Sequence, residues 1–279
     1  MGVQVAEIIT RSAAEEDMPA VRAIAEKFGL LHGWPPGRDF LDAERAFGTL
    51  LLAPTADGQA RGFGGTLRRG PVTHLGDLFV AAEHQSSGVG RALLAELLKG
   101  DEPKVTFASS DPRAMSLYIR YGLRPWCPLL YLTGPAAGVA GPAVREARLD
   151  DVADLDALAG GGARPETLAW FAATPGVTWH TTGSGYAFAR VSGDVVVIGP
   201  AGGATPRDCA EAVLGAISRV SGAATAPLSA RIAVPGVHPL VSSLIEAGWR
   251  IGDLDTFMAD DDALSLVRPD RYVPHPDLG

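Results

Sequence analysis

Gln85-Ser86-Ser87-Gly88-Val89-Gly90-Arg91 joins an apolar run at 75–80 to a leucine-rich run at 92–98. This order predicts a strand, a loop with two glycines, and a helix that begins near Ala92. The first amides of an α-helix have no partner within the helix, and they lie at the positive end of a dipole worth about half a charge. Gly88 and Gly90 carry no side chain that would keep a ligand from those amides. The stretch predicts a loop that binds a pyrophosphate, although a structural turn also explains its glycines.

Two other phosphate-binding loops do not fit this stretch. A Walker loop needs Lys followed by Ser or Thr at the helix start, where this chain has Arg91-Ala92. A dinucleotide-binding loop needs three glycines and a later acidic residue, and the next apolar run, 105–108, does not end in one. Neither class of nucleotide site is therefore predicted.

A second motif follows the loop at a fixed distance. The Gln85-x-x-Gly88-x-Gly90 core is followed by Ala114 and by Leu117-Tyr118-x-x-x-Gly122. In this order, within residues 78–123, the two motifs resemble the acyl-CoA-binding motif of the GNAT superfamily of N-acetyltransferases. That family's loop reads Gln or Arg, two residues, Gly, one residue, then Gly or Ala. Asp111 stands where many relatives have Asn.

The resemblance implies a fold and a donor. The implied fold is α/β (α+β), with a mixed, mostly antiparallel central sheet flanked by helices. The implied donor is acetyl-CoA, a co-substrate that is used without a metal. It is implied to lie between the strand that ends at Val80 and the strand that ends at Ala108. Its pantetheine arm would pair with the first of these strands as an additional strand does. The implied cofactor-binding residues are Leu78, Phe79, Val80, Gln85, Ser86, Ser87, Gly88, Val89, Gly90, Arg91, Asp111 and Ala114.

The same resemblance suggests how protons move during acyl transfer. Tyr118 is the candidate proton donor to the departing thiolate, because a thiol pKa near ~8.5 and a phenol pKa near ~10 allow that transfer. Asp77, just before the cofactor-binding strand residues, is the candidate base for the amine, and a solvated strand-end charge is the other interpretation. Glu83 and His74 flank the same strand; we expect a solvated charge at Glu83 and a structural role for His74.

Composition limits the class of protein and its partners. The 279 residues, 47% of them hydrophobic, are enough for sizeable cores. The net charge of −8 argues against nucleic acid and anionic lipid as partners and favours amine-bearing small molecules or peptides. The cysteines, Cys127 and Cys209, are far apart in the sequence, and no Cys/His cluster has metal-ligand spacing. We expect a cytoplasmic protein without a membrane segment, for which a homodimer is one possible assembly.

The sequence also predicts a tandem duplication. Arg11 followed by Glu16-Asp17 and apolar residues at helical spacing corresponds to Arg148 followed by Asp150-Asp151 and a similar apolar pattern. A segment rich in glycine and proline, which interrupt helices and strands, separates the two halves. We therefore predict a GNAT domain at 1–134, a linker at 135–143 and a second GNAT-like domain at 144–279. In the tandem arrangement that this implies, each domain repeats the sheet-and-helix plan.

The second half is predicted to be a degenerate copy. Its glycines Gly202-Gly203 follow a strand, yet the Gln/Arg-x-x-Gly-x-Gly/Ala order is missing, and Leu244 stands where Tyr118 stands in the first half. An anion contact at these glycines remains an alternative. The preferred role of the second half is to complete a substrate cleft or to form an oligomer contact.

Two functions of different class remain open at this point, and transfer of an aminoacyl or longer acyl group by the same pocket is a third alternative. The resemblance implies an acetyl-CoA-dependent N-acetyltransferase that acts on a primary amine of a small molecule or peptide. A non-catalytic acyl-CoA-binding sensor or scaffold uses the same loop without chemistry. Tyr118 beside a complete loop favours the enzyme.

Overall fold

The computed structural model describes residues 8–279, which divide into two compact units. Within these residues, unit 1 comprises 8–67 and 75–101, and unit 2 comprises 68–74 and 102–279. No helix in the described part of the chain has both the length and the apolar character that crossing a membrane requires.

Unit 1 consists of a small sheet and flanking helices. Its strands lie in the order β1 (Arg11–Ser12), β2 (Gly48–Pro54), β3 (Ala60–Arg69) and β4 (Val72–Val80), although residues 68–74, where β3 ends and β4 begins, belong to unit 2. β2 pairs antiparallel with both β1 and β3. The helices are α1 (Met18–Lys27), α2 (Phe40–Phe47) and α3 (Val89–Leu97).

Helix α3 begins three residues before its predicted start. The leucine-rich run predicts a helix from Ala92, whereas α3 begins at Val89. Gly88 precedes it with φ of 94°, a left-handed conformation that glycine adopts at little cost, and this lets the loop turn directly into the helix. Leu93 and Leu94 of the leucine-rich run are fully buried, so this run forms the inner face of α3.

Unit 2 contains a larger mixed sheet with helices around it. The strand order is β5-β12-β6-β11-β10-β9-β8-β7, and β13 pairs with β10. The strands are β5 (Lys104–Ala108), β6 (Arg124–Pro135), β7 (Arg145–Glu146), β8 (Val177–Thr181), β9 (Gly185–Ser192), β10 (Val195–Gly203), β11 (Ser229–Pro235), β12 (Arg250–Ala259) and β13 (Tyr272–Val273). The helices are α4 (Pro112–Arg120), α5 (Leu149–Gly160), α6 (Pro165–Ala172), α7 (Pro206–Ala223), α8 (Leu240–Glu246) and α9 (Asp261–Leu266).

Strands from the two sequence halves interleave at the centre of unit 2. β6, from the first half, pairs antiparallel with β11 on one side and β12 on the other. β12, from the second half, in turn pairs antiparallel with β5. Pro135, the first residue of the predicted linker, still belongs to β6 and pairs with Ser229. β6 from the first half and β12 from the second half therefore each pair with a strand of the other half.

The predicted duplication is visible in the order of elements. After β1 and β7 respectively, the two halves share the order helix, helix, three strands, helix, strand, helix, strand. The Arg that repeats is Arg145 and not Arg148 as the sequence comparison predicts: Arg11 binds Asp17 at 2.5 Å, and Arg145 binds Asp151 at 2.6 Å. The sequence comparison went wrong because Arg148 also lies near the helix start, whereas only Arg145 occupies the short edge strand, β7.

Candidate functional site

The predicted anion-binding loop lies in unit 1 between β4 and α3. A 3₁₀ turn at Ala82–His84 follows β4, and residues 85–88 then lead into α3. The side chain of Ser87 donates to the carbonyl of His84 at 2.6 Å, and that of Gln85 donates to the carbonyl of Val80 at 3.3 Å. These contacts hold the loop against the end of its strand.

The start of α3 presents the amides that an anion would need. The amide of Ala92 donates to the carbonyl of Gly88 at 3.0 Å, which closes the first helical turn. The amides of Val89, Gly90 and Arg91 precede that bond, at the positive end of the helix. The loop is exposed at Gln85, Ser86, Ser87 and Arg91. The side chain of Val89 is buried, so this residue can contact a ligand through its amide but not through its side chain.

Packing inside unit 1 does not explain why residue 90 is a glycine. A Cβ added to Gly90 would meet Val80 at 3.6 Å, an ordinary van der Waals distance. Gly88 is required for its backbone, because its φ of 94° is strained for other residues. The glycine at position 90 therefore leaves open a surface that no other described residue fills.

The predicted strand residues lie at the less buried end of β4. Leu78, Phe79 and Val80 are half-buried, whereas the first four residues of the strand are buried. The Phe79 ring packs on Phe28 and Phe63, with centroids 5.0 and 5.7 Å apart, so its side chain is structural. The backbone of this segment remains the part suited to pairing with an extended ligand.

A buried carboxylate on α2 was missed by the sequence analysis. Glu44 has no solvent exposure, and a Cβ on either Gly65 or Gly76 would overlap its carboxylate. The two strand glycines thus make room for the Glu44 side chain on one face of the sheet. The predicted base Asp77, which follows Gly76 in the same strand, is itself 6% exposed. The signal in the sequence was an acidic residue beside Phe40 and Leu41 on the apolar face of α2, opposite glycines within strands.

The other two candidate bases do not suit proton uptake near neutral pH. Glu83 is exposed, and its pKa lies below the ordinary value because its carboxylate accepts a hydrogen bond from its own amide. His74 lies in unit 2, where burial, assisted by Arg69 and Arg164, lowers its pKa to about 3. Its ring packs on Phe107 at 4.9 Å. His74 is therefore a neutral core residue, as the sequence predicts.

Unit 2 carries the remaining predicted site residues on α4. Asp111 caps this helix by accepting a hydrogen bond from the amide of Arg113 at 2.8 Å, and its ion pair with the Arg113 side chain lowers the pKa of its carboxyl. Ala114 is half-buried one turn before Tyr118, which is 7% exposed. Asp111 therefore has a structural role whether or not it touches a cofactor. The strand and loop residues at 77–91 lie in unit 1, and the α4 residues lie in unit 2.

The corresponding position in the second half has no anion-binding loop. Only residues 204–205 connect β10 to α7, in place of residues 81–88 in the first half. The amide of Gly203 donates to the carbonyl of Arg271 at 3.2 Å, and that of Ala204 donates to the carbonyl of Ser184 at 2.9 Å. The amide of Gly203, one of the two glycines left open for an anion contact, is therefore already bound by a neighbouring segment of the chain.

Comparison with known proteins supports the fold and the first-half domain. Residues 41–128 match the family described as acetyltransferase (GNAT) domain. The search of curated proteins returned no match.

Solved structures resemble the chain over almost its whole length. A candidate acetyltransferase from Pyrococcus horikoshii is 18% identical, with coverage of 100% of this chain and 98% of that chain and a TM-score of 0.75. A GCN5-related N-acetyltransferase from Kribbella flavida is 17% identical, with coverage of 94% and 74% and a TM-score of 0.60. A tandem GNAT protein from the clavulanic acid biosynthesis pathway is 15% identical, with coverage of 91% and 98% and a TM-score of 0.55. At these identities the similarity establishes a shared fold.

Proposed function

We propose that this chain, a member of the GNAT superfamily by its domain match and its tandem fold, is an acetyl-CoA-dependent N-acetyltransferase. The acceptor is a primary amine of a small molecule or peptide. The observation that carries the proposal is the loop of unit 1, where Gly88 turns directly into α3 and the amides of residues 89–91 stand at the helix start.

The loop and strand supply the donor site in this proposal. The amides of residues 89–91 would bind the pyrophosphate, and the exposed Arg91 side chain adds positive charge beside it. The backbone of residues 78–80 would pair with the pantetheine arm and so orient the thioester. Gly90 allows the diphosphate to approach, since nothing in unit 1 fills the space where its Cβ would be.

Two side chains would manage the protons of the transfer. A neutral amine nitrogen forms a bond to the thioester carbonyl carbon, and the bond from that carbon to sulfur then breaks. Asp77 would accept the proton that the amine nitrogen loses, directly or through a water. Tyr118 would donate its phenolic proton to the departing thiolate. The net charge of −8 favours an acceptor that carries a positive charge in solution.

Calorimetric titration with acetyl-CoA, followed by an assay of CoA release over a panel of amines, tests this proposal. We expect binding, amine-dependent release of free CoA, and a product whose mass identifies it as the acetylated amine. Binding without release in the presence of any amine would support the sensor or scaffold alternative instead. An absence of binding would contradict both functions.

A further inference from the structure

Strand β10 in the second half has the same length and the same place in the order of elements as β4 in the first. Both strands have nine residues, and each follows its hairpin partner after a two-residue turn, 70–71 or 193–194. Leu75-Gly76 in β4 then matches Ile198-Gly199 in β10. On this match, Ala201, Gly202 and Gly203 correspond to Leu78, Phe79 and Val80, whose backbone is proposed to pair with the pantetheine arm.

The backbone of β10 is already paired at these positions. β10 pairs in parallel with β11 only from Val195 to Ile198. Beyond that point β13 contacts both strands, with Val273 opposite Ala201 and Tyr272 opposite Gly202. Next along the strand, the amide of Gly203 donates to the carbonyl of Arg271 at 3.2 Å. A segment of the chain thus occupies the groove where the two strands separate.

We propose that residues 271–279, here called the tail, are a permanent internal occupant of the second half's acyl-CoA groove. The extended backbone of β13 replaces the pantetheine arm, and residues 204–205 are too short to provide a pyrophosphate loop. The chain therefore binds one acyl-CoA, in its first half. The identity of the ligand that the tail replaces rests on the proposed function, whereas the occupation of the groove does not.

Buried polar contacts fix the tail in place. Arg164 donates to the carbonyls of Leu278 and Gly279 at 2.5 and 2.7 Å. The hydroxyl of Tyr272 accepts from Arg69 at 2.7 Å and from Arg164 at 3.0 Å. Release of the tail would leave two buried guanidinium groups with fewer partners, which is costly in an apolar interior.

Apolar burial holds the same segment. Tyr272, Val273 and Leu278 are 1%, 0% and 1% exposed, and the ring of His275 packs on Phe171 at 4.8 Å. Burial lowers the pKa of His275 to about 3, so this ring is neutral and does not repel Arg164 at physiological pH. A segment buried to this extent is part of the core and not a lid.

The experiment counts bound ligand and follows the tail in the full-length protein. Native mass spectrometry and calorimetry with acetyl-CoA give the stoichiometry for the wild type and for Gly88→Ala. Hydrogen exchange with mass spectrometric detection follows peptides that cover 271–279, with and without saturating acetyl-CoA. We expect one acetyl-CoA per chain, at least about tenfold weaker binding in Gly88→Ala, and tail amides that exchange about 10³-fold or more slower than an unstructured peptide.

Three results would overturn the inference: two acetyl-CoA molecules per chain, binding that is unchanged in a folded Gly88→Ala variant, or loss of tail protection on addition of acetyl-CoA. If the wild type binds no acetyl-CoA, the proposed function fails. The exchange data then still decide the inference, because a tail that exchanges as fast as an unstructured peptide does not occupy the groove.

Discussion

Tyr118 is the buried residue of α4. In the proposed mechanism its phenol donates a proton to the leaving thiolate. Tyr118→Phe removes one oxygen and keeps the ring that fills the core. We expect the acetyl-transfer rate to fall by about 10²-fold or more, because proton donation to the leaving group is lost. The free energy of unfolding and the affinity for acetyl-CoA should change little. A single-turnover assay with the best amine of the panel measures the rate.

Tyr121→Phe is the control for this substitution. Tyr121 caps the end of the same helix, and the change likewise deletes one phenolic oxygen. We expect wild-type single-turnover rates. Equal rates for Tyr118→Phe and the wild type would remove Tyr118 from the mechanism.

Gly88 and Gly58 form a matched pair for testing the loop. Both have positive φ, 94° and 83°, so alanine at either position strains the backbone by about 1 kcal/mol. Only Gly88 stands at the start of α3, and we expect Gly88→Ala to weaken acetyl-CoA binding by at least about tenfold because the amides of the loop shift. Gly58→Ala should leave the calorimetric Kd unchanged. Similar Kd values for both variants would show that the loop does not bind the donor.

The loop could be predicted from sequence because its information is local. Gln85, Gly88 and Gly90 are close in the chain, and their role depends on the strand before them and the helix after them. Glu44 could not be recognised in this way, because its significance comes from Gly65 and Gly76 on strands that pack against α2. A residue whose environment is built from three separate elements gives only a weak signal in its own segment.

At the scale of elements, the repeated Arg–Asp pair predicts an acid dependence of stability. Asp17 and Asp151 each have a pKa of about 2, because hydrogen bonds from Arg11 and Arg145 favour their charged forms. An unfolded Asp titrates near ~3.9, so this contribution is complete above about pH 4 and is lost as the pH falls toward 2.

The urea midpoint at pH 5 and at pH 3 measures this effect. We expect the midpoint of the wild type to fall more between the two pH values than that of the variant Asp17→Asn/Asp151→Asn, in which the two carboxylates are absent. Asp101→Asn, at an exposed position, serves as the control and should follow the wild type. A double variant with the same pH dependence as the wild type would show that these pairs do not stabilise the fold.

At the scale of the whole molecule, the interleaving of β6 and β12 could not be read from the sequence. The endings of the two halves look alike, and this similarity predicts two copies of one plan. It does not say that β6 lies between β11 and β12, because that pairing joins residues far apart in the sequence, such as Leu132 and Ile251. Local patterns identify strands, whereas the choice of partner depends on the packing of the complete sheet.

Asp156 contacts residues from distant parts of unit 2. We expect its substitution to lower the free energy of unfolding more than that of any other charged residue in this unit. The carboxylate has no solvent exposure and accepts hydrogen bonds from Arg164 at 3.0 Å and from Tyr186 at 2.5 Å, and Arg69 lies 3.4 Å away. Burial alone would raise the pKa of Asp156, but the two guanidinium groups outweigh it and hold that pKa below its ordinary value. The carboxylate is therefore charged in the folded protein.

Asp156→Asn keeps the shape of this side chain and removes its charge, which leaves Arg69 and Arg164 buried without their counter-charge. We expect a loss of about 3–5 kcal/mol in the free energy of unfolding, measured by urea titration. Glu211→Gln breaks the exposed pair with Arg207, an ion pair one helical turn apart, and should cost less than about 0.5 kcal/mol. A loss below about 1 kcal/mol for Asp156→Asn would mean that water reaches the cluster, and the tail that Arg164 holds would then be less firmly fixed than its contacts indicate.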